Sequence, residues 1–246
     1  MQAVEQPELR GWMLRPDQYT QLYDALQAKG LHLINTPAAY RHCHYLPESY
    51  PIIQTATPKS VWLPYDANVT MARVMAILTP FGDQPVILKD YVKSRKHEWH
   101  EACYIPAASD RAVVERVVNR FIELQAEDLS EGLVFREYVP FQPIGSHTKS
   151  DMPLTMEFRC FVLDGTVVAT SAYWDEGAYT AVKPPAHLFA DILSQVQSRF
   201  FTMDIAQLTD GMWMIVELGD AQVAGLPEML DPAQFYRTLT RSIAQP

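Results

Sequence analysis

Apolar residues at Tyr19, Leu22, Tyr23 and Leu26, with Pro16 before them and Gly30 after, form one stripe of a helix over residues 17–29. Residues 32–34 read as a short strand. A loop rich in Pro and Tyr over 38–65 then either packs or lines a substrate pocket, and a second helix spans 67–78, ended by Pro80 and Gly82. The stretch 85–92 is β-rich, and 109–125 is a long amphipathic helix with Val113, Val114, Val117, Val118, Phe121 and Leu124 on its inner face. Another strand is expected over 132–141. Strands 157–162 and 166–172 are joined by Asp164-Gly165, a hairpin signal; a helix follows over 187–199. Strands 200–207 and 212–219 are joined by Asp210-Gly211, and a last helix starts at Pro232. This order predicts an α+β chain whose later strands are antiparallel, preceded by a small α/β unit over residues 1–78.

Composition narrows the choices. The 246 residues support one large domain or two small ones. Among ten glycines no two stand closer than Gly219 and Gly225, which excludes both G-x-G-x-x-G and G-x-x-x-x-G-K-[ST]. A formal charge of −9 argues against nucleic acid or an anionic membrane as a partner. The charge is uneven: residues 200–236 hold six acids and no Lys or Arg, whereas 89–96 hold four basic residues and one acid. Three cysteines at irregular spacing argue against a disulfide framework. The first eleven residues show no signal-peptide pattern and no apolar run approaches the ~20 residues of a membrane span, so a cytoplasmic protein is expected.

Three constellations could carry chemistry. If Asp210 and Gly211 alone form the last hairpin's loop, Asp204 lies opposite Glu217 with Cβ atoms ~5 Å apart. Such a pair calls for a divalent cation with oxygen ligands, such as Mg2+; the alternative is a one-residue slip with one carboxylate solvated. In VILKDYVKSRK, period two puts Lys89, Tyr91 and Lys93 on one face, the lysines ~13 Å apart, either as phosphate ligands or as a solvated edge. Glu157 and Arg159 share a face in MEFRCFV, Arg136 and Tyr138 share one in GLVFREYVPF, and Glu137 shares the other with Val139. A Glu157–Arg136 salt bridge would satisfy some of these charges, and a shared anionic ligand would satisfy more. His42-Cys43-His44 and His97, His100 and Cys103 lack the second paired cluster of a zinc finger, and no G-x-S-x-G elbow occurs.

Over roughly residues 85–228, VILKDYVKSRKHEW, GLVFREYVPF, PLTMEFRCFVLDG, YWD and FFTMDIAQLTDGMWMIVELGDAQVAGLP resemble the bacterial and phage ATP-grasp clade named for two arginines and a lysine. LVFREYV, EFRCFV and the DI…VELG hairpin are also similar to eukaryotic ATP-grasp chaperones that assemble translation initiation factor two. The resemblance implies ATP held between a lid-like subdomain (79–142) and a C-terminal metal-binding subdomain (143–246). Lys89 would then bind phosphates, and Glu137, Tyr138 and Val139 would form the adenine hinge. Glu157 would meet the ribose, while Arg136, Arg159 and Lys93 would serve the phosphate or acyl-phosphate. Asp204 and Glu217 match the Mg2+ ligands; Gly219 stands where the family often has Asn, so Asp220 is a candidate third ligand. The implied activity is an ATP- and Mg2+-dependent carboxylate–amine ligase that joins small-molecule or peptide substrates, or a protein substrate, through an acyl-phosphate. The alternative is an ATP-binding assembly chaperone or protein-interaction module without ligase activity.

Overall fold

In the computed structural model, which describes residues 13–179 and 182–244, helix α1 (Pro16–Gln27) takes up most of the first predicted helix. The N-terminal stretch read for a targeting signal lies outside the described residues. Residues 32–34 are not a strand. The N–H of Ile34 donates to the Gln222 side chain, so this segment docks on a distant turn instead of a neighbouring strand. The Pro- and Tyr-rich stretch forms two helices, α2 (Pro37–His44) and α3 (Leu46–Ile53), each with proline in its first turn, where the missing N–H does no harm. Strand β1 (Ser60–Pro64) and helix α4 (Met71–Leu78) follow.

The first sheet has the order β1-β4-β2-β3, with β2 (Val86–Asp90), β3 (Tyr104–Ile105) and β4 (Gly132–Glu137). Helix α5 (Arg111–Gln125) starts on Asp110, whose carboxylate accepts from the N–H groups of Ala112 and Val113. With α4 it covers one face of the sheet, burying Leu88, Leu133 and Phe135. Period two then turns Ile87, Lys89, Val134 and Arg136 to the other face. The expected boundary between residues 78 and 79 cuts through this unit, because β1 pairs with β4 over five residues and protects what would otherwise be an open edge.

Strand β2 is shorter than expected. The Asp90 carboxylate accepts from the N–H groups of Val92 and Lys93, and its own N–H donates to the Lys93 carbonyl. This side-chain-closed turn ends the strand at Asp90, so Lys93 does not continue the Lys89 face. A two-stranded hairpin, β5 (Pro143–Ser146) and β6 (Pro153–Thr155), links the lobes.

The second sheet has the order β10-β9-β7-β8, with β7 (Glu157–Leu163), β8 (Thr166–Ala172), β9 (Phe200–Gln207) and β10 (Trp213–Asp220). The first hairpin is as expected: Asp164 and Gly165, at φ 47° and 76°, close the Leu163–Thr166 pair. The predicted helix over 187–199 contracts to a 3₁₀ turn and α6 (Ala190–Leu193). Beyond it Ser198 donates to Asn35 and Arg199 pairs with Asp164, which draws the chain out of helical geometry into β9. One face of the sheet packs Phe158, Cys160, Met203, Ile205 and Leu218 in a core shared with α2 and α3. On the other face, α7 (Pro232–Ala244) covers Phe161, Leu163 and Phe200 with Phe235 and Leu239, and leaves the far end of that face uncovered by its apolar stripe.

A buried polar knot fastens the N-terminal helices to this sheet. Asn35 Nδ2 donates to Asp220 Oδ2 (2.6 Å) and to the Phe200 carbonyl (2.6 Å), while its Oδ1 accepts from the Phe200 N–H (3.0 Å). Gln222 Nε2 reaches the Tyr19 hydroxyl (2.6 Å), and Tyr19 stacks on Tyr40. Asn35→Ala should therefore destabilise the fold by about 1–3 kcal/mol, since it removes a donor from the buried Asp220 carboxylate and the acceptor of the buried Phe200 N–H. Urea denaturation measures this, and a loss below about 0.5 kcal/mol would contradict the role given to the knot.

Candidate active site

The uncovered end of the second sheet carries Glu157 and Arg159 from β7, Asp204 from β9 and Glu217 from β10. Arg159 pairs across the ladder with Asp204, and Asp204 with Glu217. The last pair forms by an unexpected route. Leu208 pairs with Met212 around a three-residue loop, which would set the whole hairpin one residue off the expected register. A β-bulge at Val216 restores it. The bulge also lets Ile215 and Leu218 both enter the core while Glu217 faces the other way.

Each carboxylate meets this crowding differently. Asp204, 1% exposed, takes a bidentate pair from Arg159 (Nη2–Oδ2 2.7 Å, Nε–Oδ1 2.9 Å). Burial nevertheless leaves its carboxyl above the ordinary range against the pull of Arg159. Glu217 accepts from Lys89 Nζ at 3.0 Å, an ion pair joining β10 of the second sheet to β2 of the first. Burial acts upward on Glu217 too, but the charge and hydrogen bond of Lys89, with Arg159 and Arg136, bring it below the usual range. Among the described residues, the Glu157 carboxylate receives only a long hydrogen bond from Thr155 (3.4 Å). Burial, then Asp204 and Glu217, push its carboxyl up to about 8, so it is protonated at neutral pH.

Other expected residues lie apart from this cluster. Arg136 is buried but does not pair with Glu157; it donates to Thr57 Oγ1 (2.6 Å) and the Ile215 carbonyl (3.3 Å), bracing one sheet on the other. Burial lowers its pKa to about 10, which keeps it charged. Asp220 is not beside Asp204 and Glu217: an odd step along β10 turns it to the helix-packed face, where Asn35 and the Gln222 N–H hold its carboxylate. Burial raises it to about 6. Gly219 does share the Glu217 face, but a Cβ there would come 2.8 Å from Thr202 Oγ1, so no side chain fits without moving that hydroxyl. At the end of β4, the N–H groups of Glu137 and Tyr138 donate to the carbonyls of Lys59 and Pro85, while Val139 has no hydrogen-bond partner among the described residues. The Tyr138 ring packs against Tyr104 and Trp99.

Two further features escape sequence reading. His44, from α2, stacks near Tyr40 and Tyr45 within the fields of Glu217, Lys89 and Lys93; burial drives its pKa down to about 4, so the imidazole is neutral. An open cavity of about 380 Å³ lies against Arg159, Tyr173 and Trp174, with Lys96, His97 and His147 also lining it. Lys96 Nζ stands 4.6 Å from the Trp174 ring centre and 5.3 Å from that of Tyr173, and the His97 and His147 rings are 5.3 Å apart. YWD and the basic run mark two of its walls in the sequence, but nothing near His147 signals that it joins them. Cys103 is buried beside Trp99, Met152 and Leu154, and burial pushes its thiol up to about 12.

Asp204 and Glu217 suit a hard divalent cation. They oppose each other across the ladder, and their charges add to the burial that raises the Glu157 carboxyl. Among the described residues no three His, Cys, Asp or Glu side chains gather as a complete metal cage. Mg2+ needs only one or two protein carboxylates when phosphate and water complete its shell. Among the described residues no helix is long and apolar enough to cross a membrane.

Residues 80–239 match family 3 of the ATP-grasp domain clade named for two arginines and a lysine. No curated protein matches the chain at significant similarity. Among solved structures, C-terminally truncated Cdc123 from Schizosaccharomyces pombe is similar at 16% identity and TM-score 0.51, over 76% of this chain and 87% of that one. The ATP-grasp ligase PsnB complexed with minimal precursor, Mg and ADP is similar at 14% identity and TM-score 0.53, over 92% and 68%. N5-carboxyaminoimidazole synthase from Aspergillus clavatus, in complex with ADP and a ribonucleotide, reaches TM-score 0.59 at 13% identity, over 92% and 58%. At these identities the likeness is one of fold.

The protonated Glu157 gives stability a definite pH dependence. In the unfolded chain a glutamate loses its proton near pH ~4.3, whereas the folded chain keeps Glu157 protonated to about pH 8. Its contribution is therefore fully present at low pH and lost as pH rises through that window. His44 acts in the opposite sense only below about pH 6.5, the ordinary imidazole value. Unfolding free energy should thus fall between about pH 6.5 and 8, and Glu157→Gln should flatten that fall. Urea titrations at both pH values decide it; an unchanged slope in the variant would assign the effect elsewhere.

Proposed function

The chain belongs to the ATP-grasp superfamily, in family 3 of the clade named for two arginines and a lysine, and from that membership we propose that it is an ATP- and Mg2+-dependent ligase joining a carboxylate to an amine through an acyl-phosphate. The observation that carries this reading is the open cavity of about 380 Å³ against Arg159, with basic side chains on its wall. A ligase must hold a small acid beside the phosphates, and pockets of this order suit small molecules. A chaperone that only binds nucleotide would instead call for a broad protein-facing surface.

In this reading Lys89 binds phosphate oxygens as a compact point charge. The backbone at Val139, beside Glu137 and Tyr138, reads adenine, and the protonated Glu157 donates to a ribose or phosphate oxygen. Asp204 and Glu217 would hold Mg2+, which when bound supplies neutralisation of the triphosphate charge. Arg159 orients the acid. A substrate carboxylate oxygen attacks the γ-phosphorus, the bond to the β–γ bridging oxygen breaks, and ADP departs with that electron pair. The amine then attacks the carbonyl carbon of the mixed anhydride, the carbon–oxygen bond to phosphate breaks, and inorganic phosphate leaves while the amine's proton passes to solvent. No protein nucleophile takes part, and positioning with charge neutralisation carries the rate. Lys93, beyond the Asp90 turn, and Asp220, on the opposite face, have no part in this scheme.

ATP with Mg2+ at about a hundredfold its Kd should raise Tm by about 5–10 °C. Glu217→Gln should remove most of the Mg2+-dependent part, and a full shift in that variant would take Glu217 out of the site. Phosphate release screened over mixtures of amino acids, peptides and amines should appear only with a particular acid and amine. Nucleotide binding without turnover across that screen would favour the chaperone reading.

A further inference from the structure

We infer that the cavity against Arg159 is the binding site of a free acidic α-amino acid, which serves as the carboxylate partner of the ligation. This rests on the ligase reading above and adds the chemical class of its acid. The walls carry opposite charges on separate segments: the Lys96 ammonium, beside the His97 ring, comes from the loop after β2, and the Asp175 and Glu176 carboxylates follow β8, while the β5–β6 hairpin adds the His147 ring.

The cationic wall has little internal compensation. Among the described residues Lys96 makes no ion pair and rests its ammonium over aromatic rings. His147 engages Ser150 through Nδ1 (3.0 Å), which leaves Nε2 for a ligand. Beside it, Arg159 uses Nε and one Nη2 hydrogen on Asp204 and makes only a long contact from Nη1 to the Gly225 carbonyl (3.4 Å), so guanidinium N–H groups remain. The Trp174 ring also lines this cavity, although its Nε1 is buried away from solvent with no hydrogen-bond partner among the described residues.

These groups call for two carboxylates and one ammonium. One carboxylate faces Arg159, where phosphorylation would occur. The second meets Lys96 and His147, and the ammonium lies toward Asp175 and Glu176. A monocarboxylate would leave the cationic wall unanswered, and a plain dicarboxylate would face the acidic wall with nothing to offer. The amino group is thereby occupied, so the amine that completes the ligation must arrive on another molecule.

Calorimetric titration of the full chain with L-glutamate and L-aspartate, with and without a non-hydrolysable ATP analogue and Mg2+, tests this. At least one should bind alongside the nucleotide, with glutarate and γ-aminobutyrate each weaker by about tenfold or more. Lys96→Ala and His147→Gln should each weaken the amino acid about tenfold and leave nucleotide affinity within about twofold. Circular dichroism melts check that both variants fold; should Lys96→Ala fail, Lys96→Gln replaces it. No amino-acid binding at millimolar concentration, to a chain that binds nucleotide, would overturn this inference and leave the ligase reading standing. Competition between amino acid and nucleotide would also overturn it, assigning the cavity to phosphates. A chain that binds no nucleotide would remove both.

Discussion

Mutual repulsion among Glu157, Asp204 and Glu217, on three adjacent strands of one sheet, is the constraint around which the site is organised. Three ionised carboxylates cannot share a largely buried patch unless cations or protons join them. The fold uses both: Arg159 on Asp204, Lys89 on Glu217, and a proton on Glu157. Only Lys89 comes from the other sheet, so charge compensation also ties the two lobes together. A phosphate-bearing ligand with a divalent cation would satisfy the same groups by exchanging partners, with no new charge needed from the protein.

The neighbouring architecture keeps that patch open. Helix α7 lies over the apolar end of the sheet and stops short of the charged end. On the opposite face, helices α2 and α3 pack into the core, and Asp220, three residues beyond Glu217, becomes a fastening for Asn35. Carboxylates so close in sequence thus have unrelated duties because strand alternation sends them to different surroundings, one a polar cleft and the other a packed interior.

Much of this is legible in local patterns and some is hidden for specific reasons. The Asp164-Gly165 hairpin needs only two positive-φ residues, and the sequence supplies them. A two-residue loop predicts the Asp204–Glu217 pair, yet the pair forms through a longer loop whose offset the Val216 bulge cancels. Bulges leave almost no mark in composition, so the pairing is right and its geometry is not. Period two misplaces Lys93 because the Asp90 side chain closes a turn inside an apparently continuous β pattern. The His97–His147 approach depends on two loops from different lobes, which no periodicity reports.

The pairing of β1 with β4 separates two meanings of the word domain. The recurring family unit begins at residue 80, but the strand that shields β4 ends at Pro64, and part of the core beneath the second sheet comes from Cys43, Leu46 and Ile53. The stretch the family model matches therefore leaves out an edge strand and part of the core that it packs against. Exchanging the N-terminal helices between relatives would have to preserve an edge strand and a hydrophobic surface, which couples any change upstream to the stability of the half that carries the Glu157, Asp204 and Glu217 patch.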